Sequence, residues 1–301
     1  MKKIKSSPAL GGLLVLLAAC LWGCTGLFVG SISSAGLQSM EIVVLRGIIT
    51  SVVMMPLMLA IDPGMFRIRL RDLWCFIGSG VLSVLFFNYC YYSNIQETSP
   101  AVAVVMLFTA PVFVTLLSIP MFKEKLTWRK VIAVVLILAG CALVSGIVGE
   151  GANLTRRGIV LGICSGFGYG LYSIFSRLAL NRGYSPTTIT FYTFLLSAIG
   201  GVFLVDFGHI AAASAAHGMQ LWGPLVAYVL IGTVGAYLMY TAGLSYMDTS
   251  KAAVMQSAEP AAATVLQIVV LGIWPDTLTL VGVGLVTAAI AVLNWPGGKK
   301  R

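Results

Sequence analysis

The sequence predicts an all-α integral membrane protein in which ten transmembrane helices form two inverted five-helix repeats. Three observations support this prediction: an apolar composition, ten apolar blocks and an internal duplication. Hydrophobic residues make up 58% of the 301 residues and charged residues only 10%, whereas a soluble domain carries about 25% charged residues. A chain with so few charges cannot cover a surface that faces water.

Ten apolar blocks follow one another along the chain, joined by short connections. They occupy 9–31, 40–61, 74–94, 101–122, 128–148, 158–178, 187–205, 221–244, 252–273 and 278–295. Each block is long enough to cross a hydrocarbon core of about 30 Å as a helix. The residues do not alternate between apolar and polar, which argues against a transmembrane β-barrel. We expect the first block to be a retained helix, because it is too long for the apolar region of a secretory signal. The Ala-rich connection at 206–220 suits a short interfacial helix.

Two nearly identical peptides, one in each half of the chain, indicate a duplication. Ala-Val-Val-Met at 103–106 precedes Ala-Pro at 110–111, and Ala-Ala-Val-Met at 252–255 precedes Glu-Pro at 259–260, with a constant offset of 149 residues. A repeat of five helices crosses the membrane an odd number of times. The second copy therefore enters from the opposite side, and the two copies are inverted relative to each other.

We expect the two repeats to occupy 1–150 and 151–301, with the fourth and ninth helices crossing near the pseudo-two-fold axis because they carry the duplicated peptides. Such an assembly has two nearly equivalent packings, one open to each side, which is the geometric basis of alternating access. Glycine at every fourth residue of the sixth block predicts a close approach between helices, either as static packing or as a surface for sliding. These residues are Gly158, Gly162, Gly166 and Gly170.

The net charge is +9, and the placement of the Lys and Arg residues predicts the orientation of the chain. When the N-terminus is placed in the cytoplasm and sides are counted alternately, sixteen of them lie at the cytoplasmic face. Arg156 and Arg157 fall outside, and Arg46 lies within a span. By the positive-inside rule, we expect a multi-pass protein of the plasma (inner) membrane with both termini in the cytoplasm. The basic excess is thus a topology signal rather than a sign of nucleic-acid binding, and attraction to anionic membrane lipid is secondary.

The residue pattern predicts no cofactor, no metal site and no enzymatic activity. All six cysteines lie inside or at the ends of apolar spans, and none forms a Cys-x-x-Cys pair. His209 and His217 share one loop without further ligands nearby in sequence. The chain also lacks the spacing of a phosphate-binding loop and of a nucleophile–base pair.

Five short motifs occur in a characteristic order along the chain. They are Trp22-Gly23 in the first helix, Leu45-Arg46 in the second, Ala110-Pro111 in the fourth, Lys-Glu-Lys-Leu-Thr at 123–127 before the fifth, and Glu259-Pro260 in the ninth. In their order and duplication they resemble the EamA-type, ten-helix proteins of the drug/metabolite transporter superfamily, over nearly the whole chain. One departure lies before the last helix, where Pro275-Asp276 stands in place of the Gly-Glu that this family often shows.

The resemblance implies secondary transport of a small organic metabolite or drug-like amine through a central cavity between the repeats, with export favoured. The energy would come from an ion gradient, with the proton as a candidate, or from the gradient of the solute itself. Uptake or facilitated diffusion of amino acids or similar solutes is one alternative, and a channel is another. An intramembrane enzyme acting on lipid is disfavoured, because it would need paired titratable groups near one interface. The resemblance specifies no oligomeric state.

Two charged residues lie deep in predicted spans, Arg46 in the second helix and Glu259 in the ninth. A charge at the centre of a bilayer costs about 2.5–3.5 kcal/mol on insertion scales, so we expect a polar cavity, a partner, or both. Glu259 could carry a proton, bind a cationic amine, or pair with Arg46 or with backbone groups freed by the adjacent proline. Gln256 lies one turn earlier on the same helical face. Arg46 could bind a carboxylate or be held by Glu41.

Aromatic and amide side chains cluster in helices of both repeats. A cavity lined by such residues suits aromatic, amphipathic or cationic solutes, whereas the alternative is the aromatic belt at the membrane interface. The candidate cavity residues are Trp22, Asn88, Tyr169, Tyr172 and Tyr237. The belt is an equal alternative for Tyr91, Tyr92 and Tyr240, which lie near the ends of their predicted spans.

Overall fold

The computed structural model describes residues 7–147, 155–272 and 274–295. In these residues the fold is all-α, as predicted, and consists of ten apolar helical rods that make it a multi-pass membrane protein. They are α1 (Pro8–Ser34), α2 (Ser39–Ile61), α3 (Leu70–Glu97), α4 (Pro100–Phe122), α5 (Trp128–Val144), α6 (Arg156–Asn181), α7 (Pro186–Leu204), α8 (Met219–Leu244), α9 (Thr249–Val270) and α10 (Thr277–Asn294). A short helix, Phe207–His217, joins α7 to α8, in the connection where an interfacial helix is expected.

Nine of these ten rods are at least 18 residues long and apolar enough to cross a membrane. The tenth, α5, has 17 residues and so measures about 25 Å at 1.5 Å per residue. An even number of crossings places the start of α1 and the end of α10 at one face. We call this face the terminal face and the other the opposite face. A hydrogen bond of 2.8 Å from Arg129 Nη1 at the start of α5 to the carbonyl oxygen of Trp295 after α10 agrees with this arrangement.

Helix irregularities recur at equivalent places in the two repeats. α3 contains a π-helical stretch at Gly78–Leu85 and α8 contains one at Val229–Gly235. α4 is interrupted between Leu107 and Ala110, and α9 between Gln256 and Glu259. Each interruption lies directly before a proline, which has no N–H and cannot close the helical hydrogen bond to the preceding turn. The duplicated Ala-Pro and Glu-Pro steps thus mark the points where α4 and α9 change direction.

Glycines allow the helix backbones to approach closely, as small residues do between membrane helices. A Cβ atom placed on Gly162 of α6 would lie 2.7 Å from Met106 Cγ of α4, and one placed on Gly166 would lie 2.6 Å from the carbonyl oxygen of Met106. α5 and α10 approach in the same way, since a Cβ atom on Gly140 would lie 2.8 Å from the Gly282 carbonyl oxygen. These contacts give the periodic glycines a role in packing.

The fourth and ninth helices meet near the terminal face. Val114 in the second half of α4 and Ala253 in the first half of α9 belong to one buried cluster with Ile174 of α6. Met106 packs against α6 and Met255 against Gly12 of α1, so neither of the two duplicated methionines lies on a lipid-facing edge. Beyond their interruptions, the halves of α4 and α9 toward the opposite face border a cavity.

Candidate functional site

Two adjoining pockets of about 430 and 310 Å³ lie between α1, α3, α4, α8 and α9 and share Trp22, Tyr91, Leu107 and Glu259 among their lining residues. The larger pocket extends to Ser145 after α5 and to Pro275 before α10. Both residues lie at the opposite face, so the cavity opens in that direction. Its size is within the range of small-molecule binding sites.

Glu259 lines both pockets and so lies where they meet. It is also the residue at which α9 resumes after its interruption. Tyr169 of α6 donates a hydrogen bond of 3.1 Å from its hydroxyl group to Glu259 Oε2. Gln256 is buried but lines neither of the two pockets. The expectation that Gln256 and Glu259 share a helical face assumes a continuous helix, whereas the helix ends at Gln256 and begins again at Glu259.

Arg46 lies on the wall of the smaller pocket and is only 6% exposed. Its Nη1 donates a hydrogen bond of 2.6 Å to Tyr228 Oη, and its guanidinium carbon lies 5.5 Å from the ring centroid of Phe194. The buried Nε and Nη2 atoms have no hydrogen-bond partner among the described residues. The site therefore holds a fixed cation beside the cavity, with two buried donors that have no partner among the described residues.

Both proposed carboxylate partners of Arg46 are bound elsewhere. Glu41 lies 2.9 Å from His209 Nδ1 and accepts a 2.8 Å hydrogen bond from the backbone N–H of Gln38. Glu259 is held by Tyr169 and forms no ion pair with Arg46 in the described chain. The two pairing hypotheses are therefore wrong. The reason is that other residues hold the two carboxylates, His209 for Glu41 and Tyr169 for Glu259. Tyr228 of α8, which the sequence does not single out, accepts from one nitrogen of Arg46 instead.

Aromatic rings line and support this cavity. Trp22 and Tyr237 meet edge to face at 5.1 Å between ring centroids, and Tyr172 packs on Tyr237 at 4.9 Å. Tyr172 lines neither of the two pockets and instead supports Tyr237 from behind, with its hydroxyl group 2.6 Å from Thr241 Oγ1. Asn88 lines the smaller pocket, and its amide nitrogen donates to the carbonyl oxygen of Val84 at 2.6 Å.

The structure thus brings most of the candidate residues to one cavity. Those that line it are Trp22, Arg46, Asn88, Tyr169, Tyr237 and Glu259. Tyr91 and Tyr92, for which the membrane-interface belt is an equal alternative, also line it. Tyr240 is fully buried and hydrogen-bonded to Ser173 at 2.6 Å, so it belongs to the packed interior and not to a belt.

A cluster of charged and polar groups closes the terminal face, and we call Glu124, Lys130, Asp248 and Ser250 the terminal clasp. Glu124 follows α4 and accepts hydrogen bonds from the N–H of Thr249 at 2.6 Å and of Ser250 at 3.3 Å, as well as from the Ser250 hydroxyl group. Lys130 Nζ lies 3.1 Å from Glu124 and 3.2 Å from Asp248. The clasp joins the end of α4 in the first repeat to the start of α9 in the second.

The electrostatics of the clasp favour an ionised Glu124. Burial by itself raises the pKa of this carboxyl group, but the hydroxyl group of Ser250, the ammonium group of Lys130 and the N–H of Thr249 outweigh burial, and the net effect is a lowered pKa. Side-chain exposure is only 8% for Glu124 and 7% for Lys130. The pair is therefore largely shielded from solvent. A charge-assisted hydrogen bond is stronger in such an environment than in water.

At the opposite face, the counterparts of Thr249 and Ser250 cannot supply the donors of an equivalent clasp. At the repeat offset of 149 residues, Pro100 and Ala101 stand where Thr249 and Ser250 stand in the second repeat. Proline has no N–H, and alanine has no hydroxyl group. Asp276, the counterpart of Glu124, instead caps its own helix by accepting a 2.9 Å hydrogen bond from the N–H of Thr279.

The sequence profile of the EamA-like transporter family matches residues 9–146 and 156–295. This chain belongs to that family. One relative, the uncharacterized transporter YxxF of Bacillus subtilis (strain 168), is 29% identical over 212 residues, which span 69% of this chain and 66% of that protein, slightly under two thirds of it. An uncharacterized transporter of Archaeoglobus fulgidus is 28% identical over 220 residues, covering 70% of this chain and 75% of that protein.

The chain also shares its fold with a solved structure. A solved crystal structure superimposes on this chain with a TM-score of 0.77, covers 96% of this chain and 97% of its own, and is 18% identical in sequence. At that identity the similarity concerns the fold. The family match assigns the chain to the EamA-like transporters.

Proposed function

We propose that this protein is a secondary transporter that carries a small organic amine across the plasma membrane by alternating access, with export as the working direction. The observation that carries the proposal is the position of Glu259. Its carboxylate lies at the junction of two pockets between the repeats, and one of its oxygens accepts from Tyr169. A carboxylate at this depth is a functional-site candidate, because charges inside a membrane are retained where they line a pathway or bind a partner.

The surroundings of Glu259 suit a protonated amine attached to an apolar body. The ammonium group would bind the carboxylate by a charge-assisted hydrogen bond. The rings of Trp22 and Tyr237 would pack against the rest of the solute and attract its positive charge through their faces. The same carboxylate could take up a proton, so proton and amine would compete for one group, which is the simplest way to couple their movements in opposite directions.

A binding test separates this role from a structural one. We expect phenethylamine to raise the melting temperature of the purified protein, since a ligand that binds the folded state stabilises it, and we expect Glu259→Gln to abolish the rise. Glu97→Gln is a matched control, because Glu97 is a carboxylate at the end of α3 that pairs with Arg157 outside the cavity. Counterflow of labelled amine in proteoliposomes would then distinguish a carrier from a channel.

Glu259→Gln that retains both phenethylamine binding and gradient-driven transport would overturn the assignment. If the variant instead melts well below the wild-type protein with or without amine, Glu259 has the structural role that its hydrogen bond to Tyr169 also permits.

A second candidate is a solute that carries both an amine and a carboxylate, such as an amino acid, moved by uptake or facilitated diffusion. The unpartnered Nε and Nη2 atoms of Arg46 favour it, because a guanidinium group binds a carboxylate through two parallel hydrogen bonds. Phenethylamine and phenylalanine differ by this one carboxylate. If the second candidate is correct, phenylalanine binds more tightly than phenethylamine, and Arg46→Gln removes that preference while leaving the binding of phenethylamine.

A further inference from the structure

A pocket of about 340 Å³ lies at the terminal face, away from the transport cavity. It is formed by the connection between α2 and α3 and by the connection between α6 and α7. Its charged lining residues are Arg67, Arg69, Arg182 and Asp62. Three arginines and one aspartate thus line one small concave surface.

The cationic charge of this pocket is incompletely balanced. Arg182 Nε pairs with Asp72 at 3.0 Å, and its guanidinium carbon lies 4.8 Å from the ring centroid of Trp74, which fixes its position. Asp62 uses one carboxylate oxygen to accept a 2.8 Å hydrogen bond from the N–H of Gly64. Arg67 and Arg69 form no ion pair within the described part of the chain.

Hydrogen bonds between the two connections hold the pocket in shape. The backbone N–H of Arg69 donates to Tyr184 Oη at 3.0 Å, and Tyr184 Oη donates to Asp72 at 2.9 Å. Thr188 Oγ1 donates to the carbonyl oxygen of Met65 at 3.0 Å, and Tyr192 Oη to that of Phe66 at 2.7 Å. The backbone that carries Arg67 and Arg69 is therefore anchored to α7, unlike the flexible backbone of a basic tail.

The pocket lies where the chain leaves the membrane, and its rim is apolar. Leu70 is 86% exposed and Trp74 is 44% exposed. Leu70 follows Arg69 directly, and the ring of Trp74 is stacked on Arg182. Tryptophan and exposed aliphatic residues at such a position contact acyl chains just below the headgroups, while arginines between helices bind the headgroups.

We propose that this pocket binds the phosphodiester headgroup of an anionic phospholipid in the leaflet at the terminal face. Arg67 and Arg69 supply the donors to the phosphate, Arg182, which Asp72 pairs with, completes the basic wall of the pocket, and Leu70 and Trp74 contact the acyl chains. Guanidinium groups suit this ligand because their planar donors match the oxygens of a phosphate. The bound lipid would join the α2–α3 connection of the first repeat to the α6–α7 connection of the second, independently of the transported solute.

Titration of the full-length protein in neutral detergent tests this proposal. We expect a short-chain phosphatidylglycerol to raise the melting temperature more than phosphatidylcholine does. The Arg67→Gln/Arg69→Gln variant should bind phosphatidylglycerol about 30-fold more weakly, because each basic residue near a surface contributes on the order of 1 kcal/mol to anionic lipid binding. Arg71→Gln is a matched control. Arg71 lies two residues after Arg69, at the start of α3, and is exposed, but it does not line the pocket.

Three outcomes would overturn the proposal: equal stabilisation by the two lipids, equal loss in Arg71→Gln and in the double variant, or full replacement of phosphatidylglycerol by inorganic phosphate at the same concentration. The last outcome would assign the pocket to a soluble phosphate. If the double variant melts lower without any lipid, native mass spectrometry still decides, because it counts bound phosphatidylglycerol directly and compares it with phosphatidylcholine on the same sample.

Discussion

Glu124→Gln should weaken closure of the terminal face. The wild-type carboxylate accepts from two backbone N–H groups at the start of α9, from the Ser250 hydroxyl group and from Lys130. Glutamine keeps the size and one acceptor but loses the charge, which leaves Lys130 with Asp248, a residue whose side chain is 58% exposed. A hydrogen bond to a charged group contributes about 1.5–3 kcal/mol, so we expect the closed state to lose about 2 kcal/mol, a factor of about 30 in its population relative to states open at the terminal face.

The assay measures the distance between the ends of the helices that the clasp joins. Spin labels at Lys125 and Lys251, in a background without the native cysteines, report the separation of α4 and α9 at the terminal face by pulsed electron resonance. We expect wild type to give one short distance and Glu124→Gln to add a longer one. Asp276→Asn, the counterpart in the other repeat, should leave the distribution unchanged because Asp276 caps only its own helix. An unchanged distance distribution and melting temperature in Glu124→Gln would refute the role of the clasp.

Three further predictions follow from the geometry. The fold lowers the pKa of Glu124 from its ordinary value of 4.5. The ionised carboxylate therefore contributes its full stabilisation above pH 4.5 and loses it as the pH falls through the lowered pKa, so the melting temperatures of wild type and Glu124→Gln should converge in acid. Gly166→Ala should lower the melting temperature by placing a Cβ atom 2.6 Å from the backbone carbonyl oxygen of Met106, an overpacking penalty of about 1–3 kcal/mol. Gly30→Ala, with no neighbour within 4 Å, should not. The positive-inside rule predicts that a membrane-impermeant maleimide labels His209→Cys in intact cells and not Lys125→Cys.

The fold could be predicted because its determinants are local and repetitive. Spans of about 20 apolar residues specify helices, and the duplicated peptides at 103–106 and 252–255 specify the repeat. The interruptions of α4 and α9 follow from the prolines at 111 and 260. The π-helical stretches at Gly78–Leu85 and Val229–Gly235 could not be predicted, because no proline marks them and they depend on packing against neighbouring helices.

The cavity was predictable in composition but not in its pairings. The depth of Glu259 and Arg46 in their spans pointed to one polar region, and both residues line it. Their partners, Tyr169 and Tyr228, come from α6 and α8. A pairing between helices distant in sequence depends on tertiary geometry, which single-sequence reasoning cannot supply. Gln256 lines neither pocket, and the interruption of α9 lies between it and Glu259.

The missing donors at Pro100 and Ala101 also affect the apparent affinity for solute, which should differ between the two sides of the membrane. A transporter built from two similar repeats could favour its two conformations equally. Here the terminal clasp stabilises closure of the terminal face, and Pro100 and Ala101 cannot supply the matching hydrogen bonds at the opposite face. Without solute, we expect the predominant conformation to be the one whose cavity opens toward the opposite face. A solute arriving from the terminal side then meets a rare conformer, and its apparent affinity falls by the fraction of molecules that are competent to receive it. Measured from the two sides, one protein with one site should give two different half-saturation concentrations.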